Sequence, residues 1–148
     1  MVLLPNGSCT QTIRPEASEA LTLAWEAYVS GNVGVGAVLT DPHGRVVAAG
    51  RNRVSDKKAP PGRLRSTFIA HAELDVLGQL MPDDYRDHTL WTTLEPCPLC
   101  SMGVVMSNVG SVMFAARDRL WDRMIQLTEV NEFIANRWPA RQPCFRVL

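Results

Sequence analysis

Two short segments carry residues that could do chemistry together. His71-Ala72-Glu73 offers an imidazole and a carboxyl two residues apart, and Pro96-Cys97-Pro98-Leu99-Cys100 offers two thiols in C-x-x-C spacing. One imidazole and two thiolates make three protein ligands, the number that leaves a tetrahedral zinc ion one open position, whereas a structural site would call for a fourth ligand. Zinc acidifies a water in that position toward neutral pH. Glu73 is placed to take that proton and deliver it later to a leaving group. Taken alone, Cys97 and Cys100 would also suit a redox pair or half of a structural zinc ribbon, and His71 a satisfied core histidine. Their company, with Pro96 before the cysteines and Glu73 after the histidine, points to a catalytic metal.

Secondary structure must bring these segments to one place. Ile69, Ala70, Leu74, Leu77 and Leu80 recur at helical spacing before Pro82, predicting a helix over Thr67–Leu80 that begins near His71. A second helix is predicted from about Leu99 to Ser107, ending at Asn108. It is flanked by a β-branched and aromatic strand at His88–Leu94 and another strand at Ser111–Ala116. Strand, helix, strand implies a parallel pair with a right-handed crossover, so the two helix starts can face each other at one edge of the sheet. Helix N-termini also favour thiolates. Upstream, Glu16–Ser30 reads as a helix stopped by Gly31-Asn32, with Ala20, Leu21, Leu23, Ala24, Ala27 and Tyr28 as its apolar stripe. Val33–Thr40 and Arg45–Gly50 read as a hairpin around Asp41-Pro42-His43-Gly44, with His43 exposed in the turn. Arg51–Ser66, holding Lys57, Lys58, Arg63 and Arg65 among prolines and Gly62, reads as a mobile basic loop. Its cations are expected to be solvated or, in the minority reading, to pair Arg63 or Arg65 with a phosphate or carboxylate of the substrate. Arg119–Arg137 is expected to be helical, and Pro139 and Pro143 to leave an irregular end. The order predicts a single α/β domain, a three-layer α/β/α sandwich with a central mixed sheet of about five strands.

The H-x-E and P-C-x-x-C pair resembles the signature of zinc nucleobase deaminases. The likeness extends to Asn32-Val33-Gly34-Val35-Gly36-Ala37-Val38, Gly50-Arg51-Asn52, Ala70 through Leu74, Thr92 through Cys100 and Val112 through Asp118. These separated segments, in this order, resemble the cytidine deaminase superfamily, in the branch of guanine deaminase, deoxycytidylate deaminase and tRNA adenosine deaminase. The resemblance implies His71, Cys97 and Cys100 as ligands of one Zn2+ per chain and Glu73 as the proton shuttle. It further implies that Asn52 hydrogen-bonds the substrate, that the main-chain N–H groups of Ala72 and Cys97 face its ring, and that the Glu95 carbonyl meets the departing amine. Asp118 falls where relatives carry an acidic residue near the pocket, although it would serve equally as a helix cap. Pairing of two copies into a homodimer is also implied. After Asp118 the Gly-Ser element of the tRNA enzymes is replaced by Leu120-Trp121-Asp122-Arg123. Trp121 there is a candidate to stack on a base, while Trp25, Trp91 and Trp138 read as core or interface.

At 148 residues the chain has room for one domain, and its 15 Lys+Arg balance its 15 Asp+Glu. Zero net charge provides no global basic field, which argues against a nucleic-acid partner and for a small amino-purine or amino-pyrimidine substrate. The reading is therefore a hydrolytic deaminase of a small nucleobase, nucleoside or related amino-heterocycle. Adenosine deamination in tRNA is the alternative within enzymes. A non-catalytic zinc-stabilised scaffold is the rival of another class, and Glu73 argues against it. No signal peptide or membrane span is read from the sequence, and the expected location is cytoplasmic, with Cys9 and Cys144 as free thiols in a reducing compartment.

Overall fold

Strand β1 (Gly36–Thr40) is buried along its entire length, as a central strand must be in a sheet covered on both faces. The computed structural model describes residues 14–121 and 132–143. With β2 (Val46–Arg51), β3 (Thr89–Leu94), β4 (Ser111–Ala116) and β5 (Ala140–Pro143), β1 forms a five-stranded sheet in the order β2-β1-β3-β4-β5. β1 is antiparallel to β2 and to β3, whereas β3–β4 and β4–β5 are parallel. This is the mixed sheet expected from the sequence. Among the described residues, no helix is long and apolar enough to cross a membrane.

Alternation along the strands builds two cores. Ala37, Leu39, Leu90, Val112 and Phe114 point to the face covered by helices α2 (Ala72–Leu77) and α3 (Pro98–Met106), where they pack with Val76, Leu77 and Val104. Val38 and Trp91 point to the other face and pack with Ala17 and Ala20 of α1 (Pro15–Val29). The buried Trp91 indole satisfies its polar atom by donating to Thr40 Oγ1 at 3.0 Å. Trp25, by contrast, is exposed on α1, outside either core.

The buried face of α1 is narrower than its apolar stripe suggested. Ala17, Ala20, Ala24 and Ala27 face the sheet, while Leu21, Trp25 and Tyr28 are exposed. The small face lets helix backbone approach sheet backbone: a Cβ on Gly36 would lie 2.2 Å from the Ala20 carbonyl oxygen. Only glycine fits there.

Three segments differ from the sequence reading. The helix expected over Thr67–Leu80 is confined to Ala72–Leu77, because the chain turns through Thr67–Ala70 and His71 is extended at φ −76°, ψ 154° as the cap residue. The expected irregular end contains β5, whose position beside β4 at the edge of the sheet tolerates Pro143. The expected long helix over Arg119–Arg137 is represented by a 3-10 turn at Arg119–Trp121 and by α4 (Glu132–Arg137), and its middle lies outside the described residues. Cys9 and Cys144 also lie outside them.

Arg51–Ser66 is an ordered, internally paired segment where a mobile basic loop was expected. Arg51 Nη2 and Arg53 Nη1 donate to Asp56 Oδ2 at 2.8 and 2.9 Å, and Asn32 Nδ2 donates to Asp56 Oδ1 at 2.6 Å. Arg63 Nη1 reaches Asp75 Oδ2 at 3.0 Å and the Ala49 carbonyl at 2.8 Å, so an internal pair stands where Arg63 was expected to be solvated or, in the minority reading, to meet a substrate anion. Ser66 closes the segment, its N–H donating to the Arg53 carbonyl at 3.1 Å. Breaking a buried pair by removing one partner costs about 3–5 kcal/mol, since the other charge is left uncompensated.

Burial pushes the Asp56 carboxyl upward, but the hydrogen bonds from Asn32, Arg51 and Arg53 outweigh it and hold its pKa below the ordinary value of 3.8. The folded state thus binds this proton less readily than the unfolded state. Its contribution is complete above the unfolded value and is lost as pH falls through the folded one. Urea titrations across pH should show stability declining in acid, and Asp56→Asn should lower the neutral-pH midpoint and flatten that decline.

Candidate metal centre

Both helix starts deliver their side chains from extended backbone. His71 caps α2, and Cys97, at φ −64° and ψ 171°, caps α3 with Pro98 as its first helical residue. Proline suits that position because its missing N–H has no intrahelical partner there. One turn into α3 stands Cys100, which is buried. His71 Nδ1 lies 3.3 Å from Cys100 Sγ and 3.6 Å from Cys97 Sγ, and one donor atom from each of the three residues falls within 4.8 Å of the others. An imidazole nitrogen and two thiol sulfurs this close fit zinc, whose tetrahedral ligand distances are about 2.0–2.3 Å. Among the described residues this is the one His/Cys/Asp/Glu grouping that satisfies a metal geometry.

The three donors lie close enough to shift one another. The hydrogen bond from Cys100, followed by that with His71, holds the Cys97 thiol down to about 4 against the opposing effect of burial. Cys100 is pushed upward by the same bond and by its burial. His71 is raised chiefly by its contact with Cys97, and its ring is also hydrogen-bonded to the backbone of Phe68, a restraint on ring orientation typical of ligating histidines.

Glu73 stands beside this cluster on the first turn of α2. It accepts from Thr92 Oγ1 at 3.0 Å through Oε1 and from Cys100 Sγ at 3.4 Å through Oε2. Burial raises its pKa, against the hydrogen bonds with its own backbone, Thr92 and Cys100. Thr92 was read as part of a strand and of the segment running to Cys100, with no role of its own. Its inward register on β3 is what makes it the anchor of Glu73.

The remaining expected residues lie around the same edge. Asn52 is buried just past β2. Its N–H donates to the Val35 carbonyl, the adjacent Arg53 N–H donates to Ala70, and its Oδ1 accepts from the Val54 N–H at 3.2 Å. Ala72 is the buried first residue of α2. The Glu95 N–H donates to the Ala116 carbonyl at 2.8 Å, setting Glu95 between the end of β3 and Cys97. Asp118 Oδ1 accepts from the Leu120 N–H at 3.0 Å, the geometry of a capping residue for the 3-10 turn that Trp121 completes.

Residues 9–116 match the family described as the cytidine and deoxycytidylate deaminase zinc-binding region. The chain belongs to that family. It is 36% identical over 105 residues to a tRNA-specific adenosine deaminase of Bacillus subtilis, covering 68% of this chain and 59% of that protein. It is 32% identical over 124 residues to a tRNA(Ile)-lysidine synthase of Deinococcus deserti, covering 81% of this chain and 21% of that protein. The chain therefore spans well under two thirds of these relatives. Guanine deaminase from Bacillus subtilis shares the fold with a TM-score of 0.59 at 22% identity, covering 93% of this chain and 87% of that one. The family description and the donor set agree on zinc as the cofactor.

The purified protein should contain about one zinc per chain, because three ligands leave none spare. Cys97→Ala and Cys100→Ala should each lose the metal, read by atomic absorption after gel filtration.

Proposed function

We propose that this family member is a zinc-dependent hydrolytic deaminase of a small free amino-heterocycle, a nucleobase, nucleoside or close analogue. One observation carries the reading: Glu73, which is not a ligand, holds its carboxyl against a cluster of three metal donors, 3.4 Å from Cys100 Sγ. A structural zinc site has no use for an acid there. When bound, zinc supplies a Lewis acid that makes water a nucleophile near neutral pH.

The chain's own groups do the rest. Glu73 takes a proton from the water as its oxygen adds to the amine-bearing ring carbon, then returns protons to the nitrogen, so that the C–N bond breaks and ammonia leaves a ring carbonyl behind. A carboxyl raised by burial suits both directions of transfer. Thr92 fixes the carboxyl, which limits the geometries it samples. In this proposal Asn52 holds the ring, the main chain of Ala72 and Cys97 faces it, the Glu95 carbonyl receives the departing amine, and Asp118 and Trp121 border the pocket.

The small-substrate reading is supported by the fate of the arginines. Arg51, Arg53 and Arg63 are spent on Asp56 and Asp75, which withdraws three cations from the segment leading into the site. A second reading, adenosine deamination within tRNA, is favoured by the name of the Bacillus subtilis relative at 36% identity and by the exposed Lys57, Lys58, Arg65, Arg117 and Arg119. A homodimer is part of the proposal, with exposed Phe68, Ile69 and Leu99 beside the ligands supplying apolar surface. A reducing, cytoplasmic setting accords with the unpaired thiols of Cys97 and Cys100.

Glu73→Ala and Glu73→Gln should keep zinc and lower turnover by at least about 10²-fold, the low end for general acid–base groups. Loss of zinc would show Glu73 to be a ligand, and unchanged turnover would remove it from the reaction.

Ammonia release should be measured over free amino-purines, amino-pyrimidines and their nucleosides and nucleotides, beside inosine formation in a tRNA anticodon stem-loop. The proposal expects a free heterocycle to turn over with kcat/KM nearly constant between low and physiological salt. Salt-sensitive inosine formation without turnover of any free compound would establish the second reading, since each phosphate contact steepens the salt dependence.

A further inference from the structure

The buried Asp75 carboxylate is unused by the chemistry above, and its surroundings are unusual. Its side chain has no solvent exposure. Oδ2 alone gathers three donors, the Arg51 N–H at 3.3 Å, Arg53 Nε at 3.4 Å and Arg63 Nη1 at 3.0 Å. Oδ1 is buried with no hydrogen-bond partner. Stability alone does not favour such a group, because a buried ion pair is often matched or bettered by apolar residues of the same volume, and an unpaired buried oxygen adds a desolvation cost. What the arrangement provides is position. The donors come from the end of β2, the residue after Asn52, and the Arg51–Ser66 segment, while the acceptor is on the helix that carries Glu73.

Two further features make this junction tight. A Cβ on Gly50 would lie 2.9 Å from Asp75 Oδ2 and 3.0 Å from the Ala72 carbonyl oxygen, so the start of α2 rests directly on the β2 backbone. Gln79 Nε2 stitches the same pair, donating to the carbonyls of Ala49 at 3.0 Å and Asp75 at 2.6 Å. Asn52 sits between two residues that donate to Asp75, and Glu73 is two residues before it.

We propose that Asp75 is a positioning residue: by binding Arg51, Arg53 and Arg63 at one oxygen it fixes the distance between Asn52, which holds the substrate ring, and Glu73, which moves its protons. This rests on the substrate role given to Asn52 above. Asp75 touches neither substrate nor metal, and it acts through the segment it anchors.

The test uses the zinc-loaded full chain, with Asp75→Asn, Arg63→Met and Asn52→Ala variants and ammonia release from guanine and cytidine as the assay. Asp75→Asn and Arg63→Met should keep zinc, speed hydrogen exchange at the amides of Arg51 through Arg53, and raise KM by about tenfold with kcat changed less than about threefold. On an Asn52→Ala background Asp75→Asn should add little to KM, because both act through one contact. Unchanged exchange and KM in both Asp75→Asn and Arg63→Met overturn the proposal, as does full additivity with Asn52→Ala. If Asn52→Ala itself leaves KM unchanged, or neither compound turns over, the substrate reading is what has failed, and the exchange rates still decide whether Asp75 holds the segment. Arg63→Met keeps the test open should Asp75→Asn fail to fold.

Discussion

The parallel pairing of β3 with β4 governs the geometry of the site. Parallel neighbours cannot be joined by a tight turn, so the chain leaving β3 must cross over one face of the sheet before returning at Ser111. The crossover is α3, and its start necessarily lies at the end of β3, where Glu95 is pinned by the Ala116 carbonyl. That obligation puts Cys97 at the sheet edge and Cys100 one turn inward. The second helix on the same face, α2, then has only to begin at the matching height for His71 to reach both sulfurs. The ligand set is assembled by topology, with no long side chain bridging a gap.

The molecule also keeps several carboxyls out of water, and each is handled differently. Asp56 is surrounded by donors, which hold its pKa below the ordinary value. Glu73 receives fewer donors and has its proton affinity raised by burial. The two carboxyls thus shift in opposite directions, the balance of donors against burial setting the sign. The two lie in one polar region, since Arg53 bonds both Asp56 and Asp75, and Asp75 shares the helix of Glu73.

Much of this was legible in the sequence. The H-x-E and C-x-x-C residues form two compact motifs, recognisable although His71 and Cys97 meet from 26 positions apart, and β1, β3 and β4 announce themselves by apolar composition, so both survived to the structure nearly unchanged. The misread parts carried no such compact motif. Arg63, grouped with Lys57, Lys58 and Arg65 as a solvated loop, gave no sign in the sequence that Asp75 would pair with it. Periodicity ran through Thr67–Ile69 because apolar spacing cannot distinguish a helical turn from a turn that delivers an extended His71. β5 was hidden by Pro139 and Pro143, which exclude a central strand but not an edge one.

The alanine face of α1 has a consequence for how this fold can diverge. Alanine loses no rotamer freedom when it is buried, so docking the helix carries almost no side-chain entropy cost and is decided by how closely two backbones can approach. Any enlargement on that face, or at Gly36 beneath it, lifts the helix off the sheet. On the opposite face, Leu21, Trp25 and Tyr28 touch neither core and can be exchanged without altering the sheet. The helix thus insulates interior from exterior, leaving its outer surface free to drift while the framework behind the ligands stays fixed.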